Sequence, residues 1–205
     1  MDSRGWDHRY AGKELVWTAE PNRFLAAEVA DLLPGRALDL ACGEGRNAVW
    51  LAQQGWQVTG VDFSQVGLDK AARLAEQRDV SVEWELADLR EYVPPEAAFE
   101  LVVVLYLHVP ATDRRQIHAR AARALADAGV LLVVGHDTSN PAQGHGGPQD
   151  AAILFTPEEV VDDVPRLEIQ RAASVRRPVG SPPEQVWAID ALVRATRRPA
   201  TGGAG

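Results

Sequence analysis

Apolar residues recur along this chain at two different periods, and the switching between them predicts its architecture. Phe24, Leu25, Val29, Leu32 and Leu33 form a helical stripe over residues 22–33, stopped by Pro34-Gly35. Short strand-like runs then alternate with helix-length segments. Residues 37–41 predict a buried strand, 46–54 a helix closed by Gly55, and 57–62 a second strand. Ser64 is placed to cap a helix running to about Arg78, and residues 81–86 predict a third strand ending at Ala87-Asp88-Leu89. The nearly unbroken apolar run FELVVVL at 99–105 predicts a fourth strand buried on both faces. Thr112 or Asp113 opens the next helix, Gly129 closes it, and residues 130–135 form a fifth strand.

The rhythm changes after Gly135. Residues 140–148 read as a flexible loop, and Thr156-Pro157-Glu158-Glu159 opens a helix with proline at its first position. Residues 167–175 and 185–196 predict two strands joined by the loop 176–184, an antiparallel pair with no helix between. Strand-helix alternation with continuous apolar strands implies a doubly wound α/β fold. Its sheet is seven-stranded and mostly parallel, with helices on both faces and a C-terminal antiparallel hairpin. The division expected is an N-terminal arm at 1–20, one domain at 21–198 and a Gly/Ala-rich flexible tail at 199–205.

Bulk properties narrow the partners. At 205 residues, 46% hydrophobic and 24% charged, the composition is that of a globular protein, and no apolar run approaches the roughly 20 residues of a membrane helix. The start, MDSRGWDHRY, has no apolar core of a secretory signal, so a cytoplasmic protein with no membrane partner is expected, monomeric or homodimeric. A net charge of −8 opposes nucleic-acid binding. The arginine-rich segment 114–123 reads as a solvated helix face. Cys42 is the one cysteine, so no intramolecular disulfide or Cys-rich metal site forms; a small residue packed in a tight turn is expected there rather than an activated thiol.

The chemistry concentrates at LDLACGEGRNA, residues 38–48, a strand entering a glycine turn and then a helix. Gly43, Gly45 and Ala48 fit the dinucleotide pattern G-x-G-x-x-G/A, and Asp62 lies 62 − 43 = 19 residues on, so spacing leaves the ligand open. Charge decides. Asp39 and Glu44 flank the turn, Asp62 ends the second strand and Asp88 follows the third. Carboxylates there repel a pyrophosphate and welcome an ammonium or a sulfonium. Asp62 can accept both ribose hydroxyls, Asp88 can accept from an adenine amine, and Phe63 can cover the ring.

LDLACGEG, VTGVDFS and ADL, in this order at strand ends, resemble the motifs of class I S-adenosylmethionine-dependent methyltransferases. The resemblance spans about Phe24 to Thr196, and Gly-Arg-Asn at 45–47 is similar to the tellurite-resistance and thiopurine-type small-molecule enzymes. It implies a Rossmann-like methyltransferase fold with S-adenosyl-L-methionine as cofactor and S-adenosyl-L-homocysteine as product. Asp39, Ala41, Gly43 and Gly45 would then surround the methionine part, Asp62 would hold the ribose, and Ala87, Asp88 and Leu89 would read the adenine. Leu105 and Tyr106 would close over the methionine end. Ala41 departs from the glycine usual in that family, and Glu100 from the usual Asp. Arg46 can cap donors or reach into the pocket, and Asn47 is expected to cap. Tyr10 and Trp17 would close over the site as a lid.

Methyl transfer from a sulfonium needs a nucleophile about 3 Å from the methyl, aligned and shielded from water. Tyr106, His108 and His136, following the fourth and fifth strands, are the candidates for orienting the acceptor or removing its proton. Alternatively His108 caps a turn and His136 is a hydrogen-bonded strand-end residue, or His136, Asp137 and Asn140 hold Mg²⁺. No metal is expected. The function expected is methylation of a small-molecule acceptor: a thiol, a metalloid oxyanion or an N/O-heterocycle. The alternatives are an NAD(P)-dependent oxidoreductase and a non-catalytic S-adenosylmethionine-binding protein.

Overall fold

The computed structural model describes residues 3–12, 14–16, 18–180 and 183–199. Seven strands form one sheet: β1 (Arg36–Leu40), β2 (Gln57–Asp62), β3 (Glu83–Leu86), β4 (Phe99–Leu105), β5 (Leu125–His136), β6 (Glu168–Val179) and β7 (Val186–Thr196). Their order is β3-β2-β1-β4-β5-β7-β6. Pairing is parallel from β3 to β5 and antiparallel where β7 meets β5 and β6, which matches the expected sheet and terminal hairpin. The order reverses between β1 and β4, and in such sheets the ligand crevice opens beyond the carboxyl ends at that point.

The continuous apolar strands arise because both sheet faces are covered. Leu38, Leu40, Val102, Val104, Leu131 and Val133 face one layer, where they pack with Ile117 of α5 (Ala111–Ala124) and Val160 of α7 (Pro157–Asp163). Ala37, Leu101, Val103, Leu105, Leu132 and Val134 face the other. There they meet Leu25 of α2 (Arg23–Glu28) and Leu51 of α3 (Arg46–Gln53). Val49 of α3 joins Leu74 and Ala75 of α4 (Gln65–Gln77) in a smaller cluster on Trp84. Two local signals act as expected: the Ser64 side chain accepts from Gly67 N, and Thr156 with Glu159 forms a full capping box behind Pro157.

Four boundaries differ. The helix expected over 22–33 ends at Glu28, because the stripe stops giving burial: Leu33 is 89% exposed. Gly129 does not close α5, which ends at Ala124; Leu125 already pairs with Phe99, and the register shifts before Leu101. A Cβ on Gly129 would stand 2.9 Å from both the Ala126 and Phe99 carbonyls, so glycine there permits a bulge in the strand. The first hairpin strand runs further than expected, to Val179, which shortens the connection to β7. The segment 140–148 begins with a short helix, α6 (Asn140–Gln143). The N-terminal arm contains a helix, α1 (Ser3–Tyr10), packed on α4. Trp17 and most of the expected tail, 200–205, lie outside the described residues.

The reading of 114–123 as a solvated face is corrected. Arg114 and His118 are buried, and both reach Asp163 Oδ2 of α7, at 2.8 Å and 2.9 Å. Burial lowers the His118 pKa, countered by Asp163. Arginine and histidine four residues apart share a helix face, and here that face meets an acid.

Candidate functional site

β1 runs out into a turn of left-handed residues: Ala41 at φ 63°, Gly43 at 54° and Gly45 at 77°. Only glycine adopts this region freely, so Ala41 carries local strain of about 1 kcal/mol. Gly45 is required by packing, since a Cβ there would stand 2.5 Å from Ala71 and 2.7 Å from Trp84. Asp62, at the end of β2, ties the turn together. Its Oδ2 accepts from Gly43 N at 2.8 Å and its Oδ1 from Ser64 N at 2.9 Å. Each oxygen keeps a second lone pair for a ligand hydroxyl. Burial raises the pKa of Asp62 against these amide donors.

Asp39, on β1, is buried, and its Oδ2 has no hydrogen-bond partner. Its pKa is raised to about 7 by burial first and by the nearby Asp62 second, with Arg46 opposing. A buried carboxylate oxygen without a donor is costly, and a cationic ligand would satisfy it. The buried acids present therefore fit a cationic ligand better than an anionic one. Arg46 is half-buried and burial lowers its pKa, with Tyr106 and Asp39 opposing. Asp88 lies just beyond β3 on the same sheet edge. Arg90 holds it in a bidentate grip at 2.5 Å and 3.0 Å and pulls its pKa down. Ala87 N bonds Asp62 O, and buried Leu89 receives Arg120 Nη2 on its carbonyl at 2.8 Å. Phe63 is half-buried beside Asp62.

Two expectations are corrected. Glu44 is not open to a cationic ligand: it is 3% exposed, pairs with Lys70 Nζ at 2.9 Å and accepts from Val16 N on both oxygens. It fastens the N-terminal arm, whose Glu14 carbonyl also takes Lys70 Nζ. Asn47 does not cap α3; Gly45 is the cap, and Asn47 Oδ1 accepts from Asn22 N at 2.8 Å. Cys42 is the packed turn residue expected: burial, Asp39 and Asp62 push its thiol well above the usual range, so the helix behind it does not activate it.

Tyr10 is buried against the turn, its hydroxyl 2.8 Å from where a Gly43 Cβ would be and its ring against Gly67. Asp7 Oδ1 receives the Ser64 hydroxyl at 2.5 Å. The arm thus covers the glycine turn.

Past β4, Leu105 belongs to the core, and Tyr106 turns out of the strand at φ 59°. Its hydroxyl donates to Asp190 Oδ2 at 2.7 Å and accepts from Arg177 Nε at 2.9 Å. Burial first, and then Asp190, hold its pKa above the usual phenol range. His108 Nε2 accepts from His136 N at 3.1 Å, and burial and His136 bring its pKa down to about 4. The two imidazoles stack with centroids 5.3 Å apart. His136 Nδ1 lies 3.1 Å from Asp190 Oδ1. Asp137 and Asn140 serve the backbone of the following loop: Asp137 accepts from Ser139 N and from the Ser139 and Ser174 hydroxyls, and Asn140 bridges Gly146 O and Ile189 N. Among the described residues no group of three or more His, Cys, Asp or Glu is placed to hold a metal ion.

Asp190 and Arg177 are absent from the sequence-level candidates. A signal existed for one of them: an acid inside the apolar run V-W-A-I-D-A-L-V must be partnered if the strand is buried. Arg177 sits among other arginines of an exposed edge strand and gives no such sign.

Residues 37–129 match the methyltransferase domain family. The 27-O-demethylrifamycin SV methyltransferase of Amycolatopsis mediterranei is 34% identical over 135 residues, 62% of this chain and 49% of that protein. The chain thus spans about half the length of that curated relative. A solved protein from work on the conversion of a disulfide bond into a thioacetal group during echinomycin biosynthesis superimposes with a TM-score of 0.77 at 21% identity, covering 96% and 91% of the two chains. Magnesium protoporphyrin IX methyltransferase of Synechocystis PCC 6803, solved with S-adenosylhomocysteine bound, gives 0.68 at 20%, covering 95% of each. TehB of Haemophilus influenzae gives 0.72 at 15%, covering 96% and 67%. These likenesses show a shared fold. That fold is Rossmann-like, and the matched segment runs from β1 into β5.

Proposed function

We propose that the protein transfers a methyl group from S-adenosylmethionine to a small-molecule acceptor. The observation that carries this reading is Asp39, a buried carboxylate with one unpartnered oxygen at the carboxyl end of β1, next to Asp62 on β2. A pyrophosphate placed there would meet two acids, whereas a cationic amino-acid end would neutralise the nearer one. Bound in this cleft, the cofactor supplies an electrophilic methyl for in-line displacement. Asp39, Ala41, Gly43, Gly45 and Arg46 hold its amino-acid end, Asp62 and Phe63 its ribose and ring, and Ala87, Asp88 and Leu89 its adenine. Leu105 and Tyr106 lie under the methionine end, and Tyr10 excludes water from above.

The acceptor stands beyond Tyr106, His108 and His136. A thiol, a metalloid oxyanion and an N/O-heterocycle each suit a methyl transfer of this kind. The test is transfer of labelled methyl from S-adenosylmethionine to a panel of thiols, metalloid oxyanions, phenols and N-heterocycles. Turnover on one class supports the reading. Cofactor binding without turnover on any would show a non-catalytic binding protein instead.

A further inference from the structure

β7 carries one acid, Asp190, fully buried within Val186–Thr196. A charge in such a place persists only where partners compensate it. Oδ2 takes the Tyr106 hydroxyl and Arg177 Nε, each at 2.7 Å. Burial alone would raise the Asp190 pKa, but contacts from His136, Arg177 and Tyr106 bring it below the usual carboxylate range. Its other oxygen, Oδ1, faces His136 Nδ1 at 3.1 Å, yet neither atom completes a hydrogen bond. A modest turn of the imidazole closes that bond.

We propose that His136 is the base of the acceptor site, with Asp190 as the residue that positions it, and that the acceptor reacts through a hydroxyl oxygen. The inference rests on the methyltransferase reading above. A proton on Nδ1 directed at Asp190 leaves Nε2 with a lone pair, and no described side chain or backbone group hydrogen-bonds to that nitrogen. The other two candidates are occupied. His108 Nε2 already accepts a backbone N–H, and the Tyr106 hydroxyl already bridges Asp190 and Arg177. Around His136 lie His108, stacked on it, the Tyr106 ring edge-on at 5.2 Å, Asp190, and Arg177 behind Tyr106. Above the imidazole passes Gly147 at φ 74°, where a Cβ would stand 2.7 Å from Nε2. Only a glycine lets the chain lie this close over the ring and shield it from water.

A built base selects the acceptor. A thiol is partly ionised near neutral pH and needs little help, whereas a phenol with a pKa of about 10 must lose its proton as it attacks. The O–H bond breaks with its proton passing to Nε2, and the oxygen pair forms the new O–CH₃ bond. The carbon–sulfur bond breaks with its pair on sulfur, turning sulfonium into thioether, and the imidazolium then gives its proton to water.

Two measurements test this on the full chain. Long-range ¹H–¹⁵N spectra of ¹⁵N-histidine-labelled protein, with no cofactor added, should show neutral His136 as the Nδ1–H tautomer; an Nε2–H tautomer would overturn the base assignment. Labelled methyl transfer is then assayed with catechol, 2-naphthol, 4-nitrophenol and thiophenol. The expectation is turnover of the hydroxyl compounds, reduced about 100-fold or more in His136→Gln, with unchanged S-adenosylhomocysteine affinity. The defect should be smallest for 4-nitrophenol, which is already ionised. Asp190→Asn should lower kcat with little change in KM and abolish the preference of His136 for the Nδ1–H tautomer, because the acceptor that orients the ring is gone. Undiminished turnover by His136→Gln, or wild-type turnover of thiophenol with none of the hydroxyl compounds, refutes the proposal. Failure to bind S-adenosylhomocysteine would sink the methyltransferase reading instead, leaving the tautomer result to stand by itself.

Discussion

Replacing Lys70 by Met should unfasten the N-terminal arm and destabilise the whole domain. Lys70 and Glu44 are 9% and 3% exposed and lie 2.9 Å apart, so water screens them little. Removing the ammonium takes the cation from a buried carboxylate, and it also frees the Glu14 carbonyl. Breaking one side of a buried pair costs about 3–5 kcal/mol. For a domain of this size that is a fall in Tm of roughly 6–20 °C. Denaturant unfolding followed by far-ultraviolet circular dichroism measures the loss, and limited proteolysis before the transition reads release of the arm. The double variant Glu44→Leu with Lys70→Met should recover most of it, because an apolar pair of similar volume leaves no charge unmatched. A loss below about 1 kcal/mol for Lys70→Met would refute the reasoning, since that is the range of an exposed pair.

Further outcomes follow from the same geometry. Asp39, pushed up to about 7 by burial and the nearby Asp62, holds its proton in the folded state where the unfolded chain has lost it. Its contribution is present below about pH 4 and lost as pH rises through 7, at most about 4 kcal/mol; Asp39→Asn should flatten this fall in urea titrations at pH 5 and pH 8, and an unchanged slope would contradict it. Ala41→Gly should relieve the left-handed strain and stabilise the chain by up to about 1 kcal/mol, with a lower urea midpoint counting against strain at that turn. Gly147→Ala should press a methyl onto the His136 ring and destabilise by about 1–3 kcal/mol, read by thermal unfolding; unaltered stability would show that the loop does not lie on the imidazole.

Much of the fold was legible because its signals are local. FELVVVL could be buried on both faces only in the middle of a sheet, and β4 begins and ends where that run does. Thr156-Pro157 carried its own cap. Gly129 misled because a glycine after a helix and a glycine at a bulge look alike until the partner strand is known. At the site, Asp39 and Asp62 could be placed on adjoining strand ends from spacing alone, and β1 and β2 are neighbours. Glu44 could not, because its partner Lys70 lies 26 residues away on α4. The cluster of Tyr106, His136, Arg177 and Asp190 joins three strands and the residue just past β4 through the antiparallel return of β7, a pairing that periodicity does not report.

The account turns on an acidic strand edge that receives a cationic adenosyl amino acid in place of a phosphate-bearing nucleotide. Titration calorimetry of the chain with S-adenosylhomocysteine and, separately, with NADH puts this to the test. Saturable binding of S-adenosylhomocysteine at one site per chain, with no heat from NADH, is the result predicted. Tight binding of NADH with no response to S-adenosylhomocysteine would contradict it.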